Sequence, residues 1–314
     1  MKYNFPVLTL LIALLLSCTS SPELQSPFFF TKSDQGVELL ENGHPVFFYQ
    51  RTPKSLTGEY ICNNYIHPLY SLDGDTLTEE FPVDHPYHRG IFWAWHQHYI
   101  GEQSIGDGWI MQDISYDVVD IQTKTDKTSA LIRLNVLWKS PVFQNGEPYL
   151  EERTNITLHN LQQDVRKIDF EIVLLPLVPK VYIGGSEDKK GYGGFCCRIK
   201  MPDGLIFTAN NGQVIPQELQ LEAGPWMDFS APYGNQGQVS GITILCHPDT
   251  PNYPAPWILR KKTSMQNIVF PGEKKVELSL KRPTILRYRL IIHRGNAGSV
   301  DISKWQEKYA EVYR

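Results

Sequence analysis

The stretch Tyr65 to Tyr99, YIHPLYSLDGDTLTEEFPVDHPYHRGIFWAWHQHY, holds His67, His85, His88, His96 and His98, five of the nine histidines in the chain. An imidazole titrates near about pH 6.5 and can take or give a proton at neutral pH, so the segment reads first as acid/base chemistry. His85 and His88 flank a proline-stiffened turn, DHPYHRG, and are assigned as acid and base. Arg89 beside them would pair with a substrate carboxylate or a developing oxyanion. The same histidines, with Asp84, are competent metal ligands. Neither an HExxH helix nor a Cys-x-x-Cys spacing is present, so no metal and no cofactor is assigned. A metal-dependent enzyme using the histidine cluster stands as an alternative.

Later residues extend the candidate set. The glycine-dense block Gly184 to Arg198 contributes Tyr192 and Arg198, Trp226-Met227-Asp228 contributes Asp228, and the loop opened by His247-Pro248-Asp249 runs to Trp257. Tryptophans, a histidine and acids on loops that leave strands suit a sugar cleft, where aromatic faces pack on pyranose C–H groups and polar groups take hydroxyls. His247 therefore joins His85, His88 and Arg89 as a catalytic candidate. His67, Trp95, His96, Tyr192, Arg198, Asp228 and Trp257 form the candidate substrate-binding set, with a carbohydrate, an oligosaccharide or uronide, as the expected partner.

Strands must position these groups. Pro82 and Pro86 forbid helix through the DHPYHRG turn, and Ile91 to Tyr99 alternates so that Phe92, Ala94, His96 and His98 share one face. Glu41-Asn42-Gly43 supplies hairpin chemistry between apolar runs. Strands are expected at Ile114 to Gln122, Ser129 to Trp138, Leu150 to His159, Val165 to Leu177, Ser240 to Cys246, Lys275 to Lys281 and Thr284 to His293. A short helix closes the chain, capped by Ser299 or Asp301, with Ile302, Trp305, Tyr309 and Val312 at helical spacing. With no alternation of strands and long amphipathic helices, the pattern is all-β, a large antiparallel β-sandwich over residues 28–314.

The balance of 30 Lys+Arg against 34 Asp+Glu, a formal net charge of -4, leaves no basic footprint for nucleic acid. At the N-terminus, Lys2 and the apolar run Phe5 to Leu16 form a secretory signal, too short to span a bilayer permanently. Leu15-Leu16-Ser17-Cys18 resembles the lipobox of bacterial lipoproteins. The expectation is a signal peptide over 1–17, lipidation of Cys18, a tether over 18–27 and a lipid-anchored place in the cell envelope. Cys196 and Cys197, being adjacent, would face opposite sides of a strand.

The segments DHPYHRGIFWAW, YIHPLYSLDGDTLTEEFP, YGGFCCR, WMDFS and GITILCHPDTPNYPAPW, and the closing PGE…LRYRLIIHRG, resemble a bacterial family that carries the label methane oxygenase PmoA. The resemblance covers nearly the whole mature chain. Methane oxidation does not follow from it, because the mature sequence offers no apolar run long enough to cross a bilayer. What it implies is a protein associated with carbohydrate catabolism. The all-β pattern is similar to the galactose-mutarotase-like supersandwich, in which a sugar lies across a concave sheet and His and carboxylate groups move protons. The expected function is thus an envelope lipoprotein acting on carbohydrate as an epimerase, a lyase or dehydratase, or a glycoside hydrolase. Its alternative is a non-catalytic carbohydrate-binding lipoprotein.

Overall fold

The computed structural model describes Met1 and residues 26–234 and 237–313; the expected signal peptide and Cys18 lie outside the described residues. Its strands form three sheets, paired antiparallel throughout the ladders. The first, of eight strands, runs in the spatial order Phe28–Lys32, Gly36–Glu41, His44–Gln50, Tyr65–Leu69, Ile91–Trp95, Gly193–Cys197, Gln266–Val269 and Trp257–Ile258. The second, of nine, runs Gly212–Val214, Ile206–Ala209, Trp226–Ala231, Ser240–Cys246, Thr284–Arg294, Val165–Pro176, Pro148–His159, Ser129–Lys139 and Ser115–Thr125. A third, of four short strands, contains Val276–Glu277, Val181–Gly184, Gln97–Ile100 and Gln103–Gly106. The all-β expectation holds, and its hairpin turn is at Asn42 and Gly43, both with positive φ (52° and 79°).

The first two sheets bury their inner faces against each other. Trp93 meets Phe170 at 6.4 Å between ring centres, Phe170 meets Phe195 at 5.2 Å, Phe195 stacks on Tyr288 at 4.6 Å, and Trp95 packs on Trp138 at 5.6 Å. Each such aromatic removes a large apolar area from water, which supplies the main stabilisation of the sandwich. A carboxylate lies inside this core. Glu152 accepts bonds from Trp138 Nε1 (3.0 Å), Thr154 Oγ1 (2.7 Å) and Asn64 Nδ2 (3.2 and 3.1 Å), and Asn64 accepts in turn from the Tyr49 hydroxyl. Burial pushes the Glu152 carboxyl above its ordinary range, against the pull of these hydrogen bonds.

Two outer faces carry smaller apolar layers. On the first sheet, Phe92, Ala94 and Cys196 pack with Tyr65, Phe81, Trp109 and Met265. On the second, Trp226, Leu245 and Ile291 are covered by Ile302, Trp305 and Tyr309 of the C-terminal helix Ile302–Ala310. Asp301, rather than Ser299, caps that helix by accepting from the Lys304 N–H. Cys196 and Cys197 do point to opposite faces, one into the outer layer and one into the main core, and with Cys62 and Cys246 they are buried free thiols.

Ile91 to Tyr99 is not a continuous strand: the chain bends at His96, ending Ile91–Trp95 in the eight-stranded sheet and starting Gln97–Ile100 in the four-stranded one. The bend resets the alternation, so His96 and His98 do not share a face. His96 lies on the outer side, whereas His98 is fully buried, bonded to Trp95 O and to the Tyr149 hydroxyl. Burial lowers the His98 pKa to about 4. Trp226–Ala231, absent from the expected strands, is a strand of the nine-stranded sheet.

Candidate functional site

The DHPYHRG turn closes on itself. His85 N–H donates to Pro82 O and His88 N–H to His85 O, while Phe81 N–H donates to His88 O and Gly90 N–H to Glu79 O. Gly90 seals the base of the loop at φ 42°, where a Cβ would stand 1.9 Å from Ile66 O; only glycine fits. Two tight turns three residues apart bring the imidazoles together, and His85 and His88 stack at 4.6 Å with their planes 1° apart. Tyr87 stands edge-on to both.

The two histidines occupy different surroundings. His85 is part-exposed, with 30% of its side chain open, and its Nδ1 lies 2.7 Å from Asp84 Oδ2. With Nδ1–H donating to that carboxylate, the neutral ring keeps its lone pair at Nε2. His88 is buried and its Nδ1 has no hydrogen-bond partner. Burial first, then the neighbouring His85, Arg198 and Arg89, lower its pKa to about 2, so it is neutral at any physiological pH.

Asp84 is itself fixed. Arg198 donates from Nη1 to Oδ2 (2.9 Å) and from Nη2 to Oδ1 (2.8 Å), and the Ser264 N–H donates to Oδ2 (2.7 Å). Arg198 Nε bonds Glu79 Oε2 (2.9 Å), and Nη1 also bonds Ser264 O. The guanidinium is buried and its donors are spent within the protein. Arg198 therefore positions Asp84 and His85 and has little left for a ligand.

Arg89 is the opposite case. It is 1% exposed, donates to Tyr87 O (3.0 Å), lies over the Phe92 ring at 4.6 Å, and leaves Nε without a partner. Among the described residues no carboxylate pairs with it. A buried cation without a counterion is costly, and this one sits next to His88 in sequence.

Trp109 joins the groups into a wall. It is edge-on to His88 (6.0 Å), stacked on His96 (5.0 Å) and in contact with Tyr192 (5.6 Å). His96 Nδ1 pairs with Asp107 Oδ2 at 2.8 Å, and Asp107 Oδ1 accepts from the Trp109 and Ile110 N–H groups. Sequence reasoning passed over Trp109, Tyr87 and Arg260. The Gly106-Asp107-Gly108-Trp109 turn is the signal that could have found the first.

The remaining candidates lie elsewhere. His67, on the strand beside Ile91–Trp95, bonds Thr78 Oγ1 through Nδ1 (3.0 Å), and burial lowers its pKa. Trp95 and Trp257 are core residues whose indole N–H groups donate to Phe270 O and Gly224 O. His247 is buried against Tyr309 and Tyr313 under the C-terminal helix. Asp228, on the second sheet, accepts from Thr243 Oγ1 (2.8 Å), Ser230 Oγ and His293 Nε2 (2.8 Å). Trp95, Trp257, His247 and Asp228 are thus not brought to His85. Among the described residues no three His, Cys, Asp or Glu side chains converge to hold a metal ion.

The Asp228–His293 pair has a testable cost. A Cβ on Gly241 would stand 2.2 Å from the His293 ring, so Gly241→Ala is expected to destabilise the fold by about 3 kcal/mol through overpacking and a lost buried bond. Burial opposes charging of His293, but the Asp228 bond prevails and raises its pKa above 6.5. Stability from this pair is complete below pH 6.5 and is lost as pH rises through the raised folded value. Denaturant titrations across that range should show the decline in the native protein and its absence in His293→Gln.

The sequence matches, over residues 36–306, the family described as Family of unknown function (DUF6807). The chain belongs to that family. The DUF6807 match spans every part of the site, from the His85–His88 turn to Arg260 and Ser264. No curated protein matches the sequence.

Proposed function

We propose that this DUF6807 chain acts on carbohydrate by proton transfer at His85. The observation that carries this reading is the Asp84–His85 dyad: a part-exposed imidazole, oriented through Nδ1 by a carboxylate that Arg198 and Ser264 hold, lining a cavity of about 520 Å³ shared with Tyr192, Arg260 and Lys261. Such an arrangement keeps Nε2 as base toward a bound ligand and stabilises the imidazolium once formed. His88, neutral and stacked behind, serves as a hydrogen-bonding or packing partner rather than a second titrating group. Tyr192 on the cavity wall offers a face for a pyranose.

The reaction types are not equally supported. Hydrolysis by two carboxylates needs a pair flanking one bond, but Asp84 and Glu79 are engaged by Arg198 and Asp228 lies on the other sheet. Epimerisation or β-elimination, which need a base near a C–H, fit better. The likeness to the family labelled methane oxygenase PmoA, and to galactose-mutarotase-like sandwiches, adds support for a sugar substrate as analogy.

The test is to incubate the protein with a panel of neutral oligosaccharides and uronides, following epimers, shortened chains and ultraviolet-absorbing unsaturated uronides. Product formed by the native protein and not by His85→Gln supports the reading. Sugar binding without product would make it a non-catalytic binding protein.

The envelope address is proposed from the sequence signals at Lys2 to Cys18. Expressed with its leader in a bacterium, the chain is expected in the membrane fraction, and Cys18→Ser should release it from that fraction. Equal membrane retention of the variant would refute the anchor.

A further inference from the structure

Charge is distributed unevenly along the wall that Trp109 joins. The cavity that His85 opens into is also lined by Lys190, Arg260 and Lys261, with Glu218 as its acidic member. Lys190 and Glu218 form a loose pair at 3.6 Å, in which Glu218 is 82% exposed. Arg260 has no carboxylate partner among the described residues. It donates instead to the neutral acceptors Gln217 O, Leu259 O, Glu218 O and the Tyr192 hydroxyl. Its charge is therefore held in place and uncompensated, and Lys261 has no ion pair among the described residues either. Fixed cations with spent geometry but unspent charge attract an anion and cost little to reorganise.

A second cavity, of about 350 Å³, has the reverse character. His96 and Asp107 line it together with Asp113, Glu187, Ser186, Gln112 and Tyr99. The loop from Ser186 to Tyr192 contributes to both cavities, and Trp109 touches His96 of one and Tyr192 of the other. A ligand that continues past Tyr192 thus leaves a cationic pocket and meets carboxylates. Another anionic unit there would be repelled, whereas hydroxyls would find acceptors in Asp113, Glu187 and Gln112.

We infer that the ligand is a saccharide bearing one anionic group, bound beside His85 by the Arg260, Lys261 and Lys190 charges, and continuing as uncharged sugar past Tyr192 toward His96. This rests on the carbohydrate reading above and sharpens it. The anionic group is a carboxylate or a sulfate ester, and the two are separated by the probes used. In the reading with proton transfer, the group lies where the His85 base acts, next to a position whose C–H it would acidify if it is a carboxylate.

The experiment is calorimetric binding to the full chain at low and high salt, using four disaccharides: a neutral one, one with a single uronate unit, one with a single sulfate ester, and one with two uronates. The singly charged ligands are expected to bind about tenfold or more tighter than the neutral one at low salt, with the advantage reduced at high salt. The doubly charged one should bind more weakly than the single uronate. Lys261→Ala with Lys190→Ala should abolish most of the advantage of the singly charged ligands over the neutral one. Equal or tighter binding of the neutral disaccharide overturns this inference and leaves the carbohydrate reading standing. Equal binding of the doubly and singly charged ligands overturns the polarity. Binding of none of the four overturns both readings.

Discussion

Replacing His85 by glutamine is expected to lower turnover of the saccharide substrate by about a hundred- to ten-thousand-fold, the usual contribution of a positioned acid or base. The fold should survive the change. His85 is part-exposed on a loop, and its ring contacts are to His88 and Tyr87 rather than to the main core. Glutamine can still donate to Asp84 but cannot carry the proton, so the loss should fall on kcat with KM little altered. Asp84→Asn is the companion variant: it keeps the shape, removes the charge that stabilises the imidazolium, and should lower kcat in the same sense. Full turnover by His85→Gln, measured under saturating substrate, would remove His85 from the chemistry. His88→Gln would then be the next variant to examine, although a ring held neutral by burial is poorly suited to move a proton.

Arg198→Leu is expected to have the largest effect on stability, about 3 kcal/mol or more, because it leaves two carboxylates facing an apolar side chain. Arg198 is the buried hub of the site: Glu79, Asp84 and Ser264 O all converge on it, tying the DHPYHRG loop to the chain before Met265. The effect has a pH signature. Burial tends to raise the Asp84 carboxyl, but bonds from Arg198, His85 and the Ser264 N–H outweigh it and hold the group well below the ordinary 3.8. A carboxyl depressed in this way contributes stability that is complete above its unfolded value and drains as pH falls through the folded one. The gap between native protein and Arg198→Leu should therefore be full at neutral pH and shrink on acidification below 3.8. A variant as stable as the native protein in denaturant titration would show that the hub carries no net energy. Turnover should fall as well, since the orienting carboxylate loses its support.

The architecture was legible because strands announce themselves. Ser129–Lys139 and Val165–Pro176 lie within a residue or two of their expected bounds, and Asn42-Gly43 has the positive φ that its turn chemistry demands. The site was legible in part. Pro82 and Pro86 correctly marked a loop, and histidines three apart in such a loop end up stacked. What the chain order could not convey was the bend at His96, since an alternating pattern continues on paper where the backbone changes sheet. Nor could it separate a tryptophan that lines a cleft from one that fills a core: Trp257 and Trp109 look alike in sequence, yet the first is sealed between strands and the second joins His88, His96 and Tyr192. Asp228 and His247 share that difficulty, because pairing of distant strands decides which face of which sheet they occupy. The partners of Arg198 and Arg260 are likewise long-range facts, the Glu79 carboxylate 119 positions from the first and the neutral Gln217 O 43 positions from the second.

The carboxylate of Glu152 bears on how the sandwich finds its alignment. Side chains along Pro148–His159 alternate, with Leu150, Glu152, Thr154 and Ile156 inward and Arg153 outward. A slip of one residue would swing Glu152 out and drive Arg153 between the sheets, stranding Asn64 and Trp138 without an acceptor. A slip of two would keep the apolar stripe inside but set the carboxylate against aliphatic neighbours. Apolar packing alone discriminates poorly against that second error, whereas a misplaced charge does so by several kcal/mol. Glu152 thus acts as an indexing mark between the two sheets, admitting one alignment of Pro148–His159 against the segment that begins at Asn64 and rejecting its near relatives.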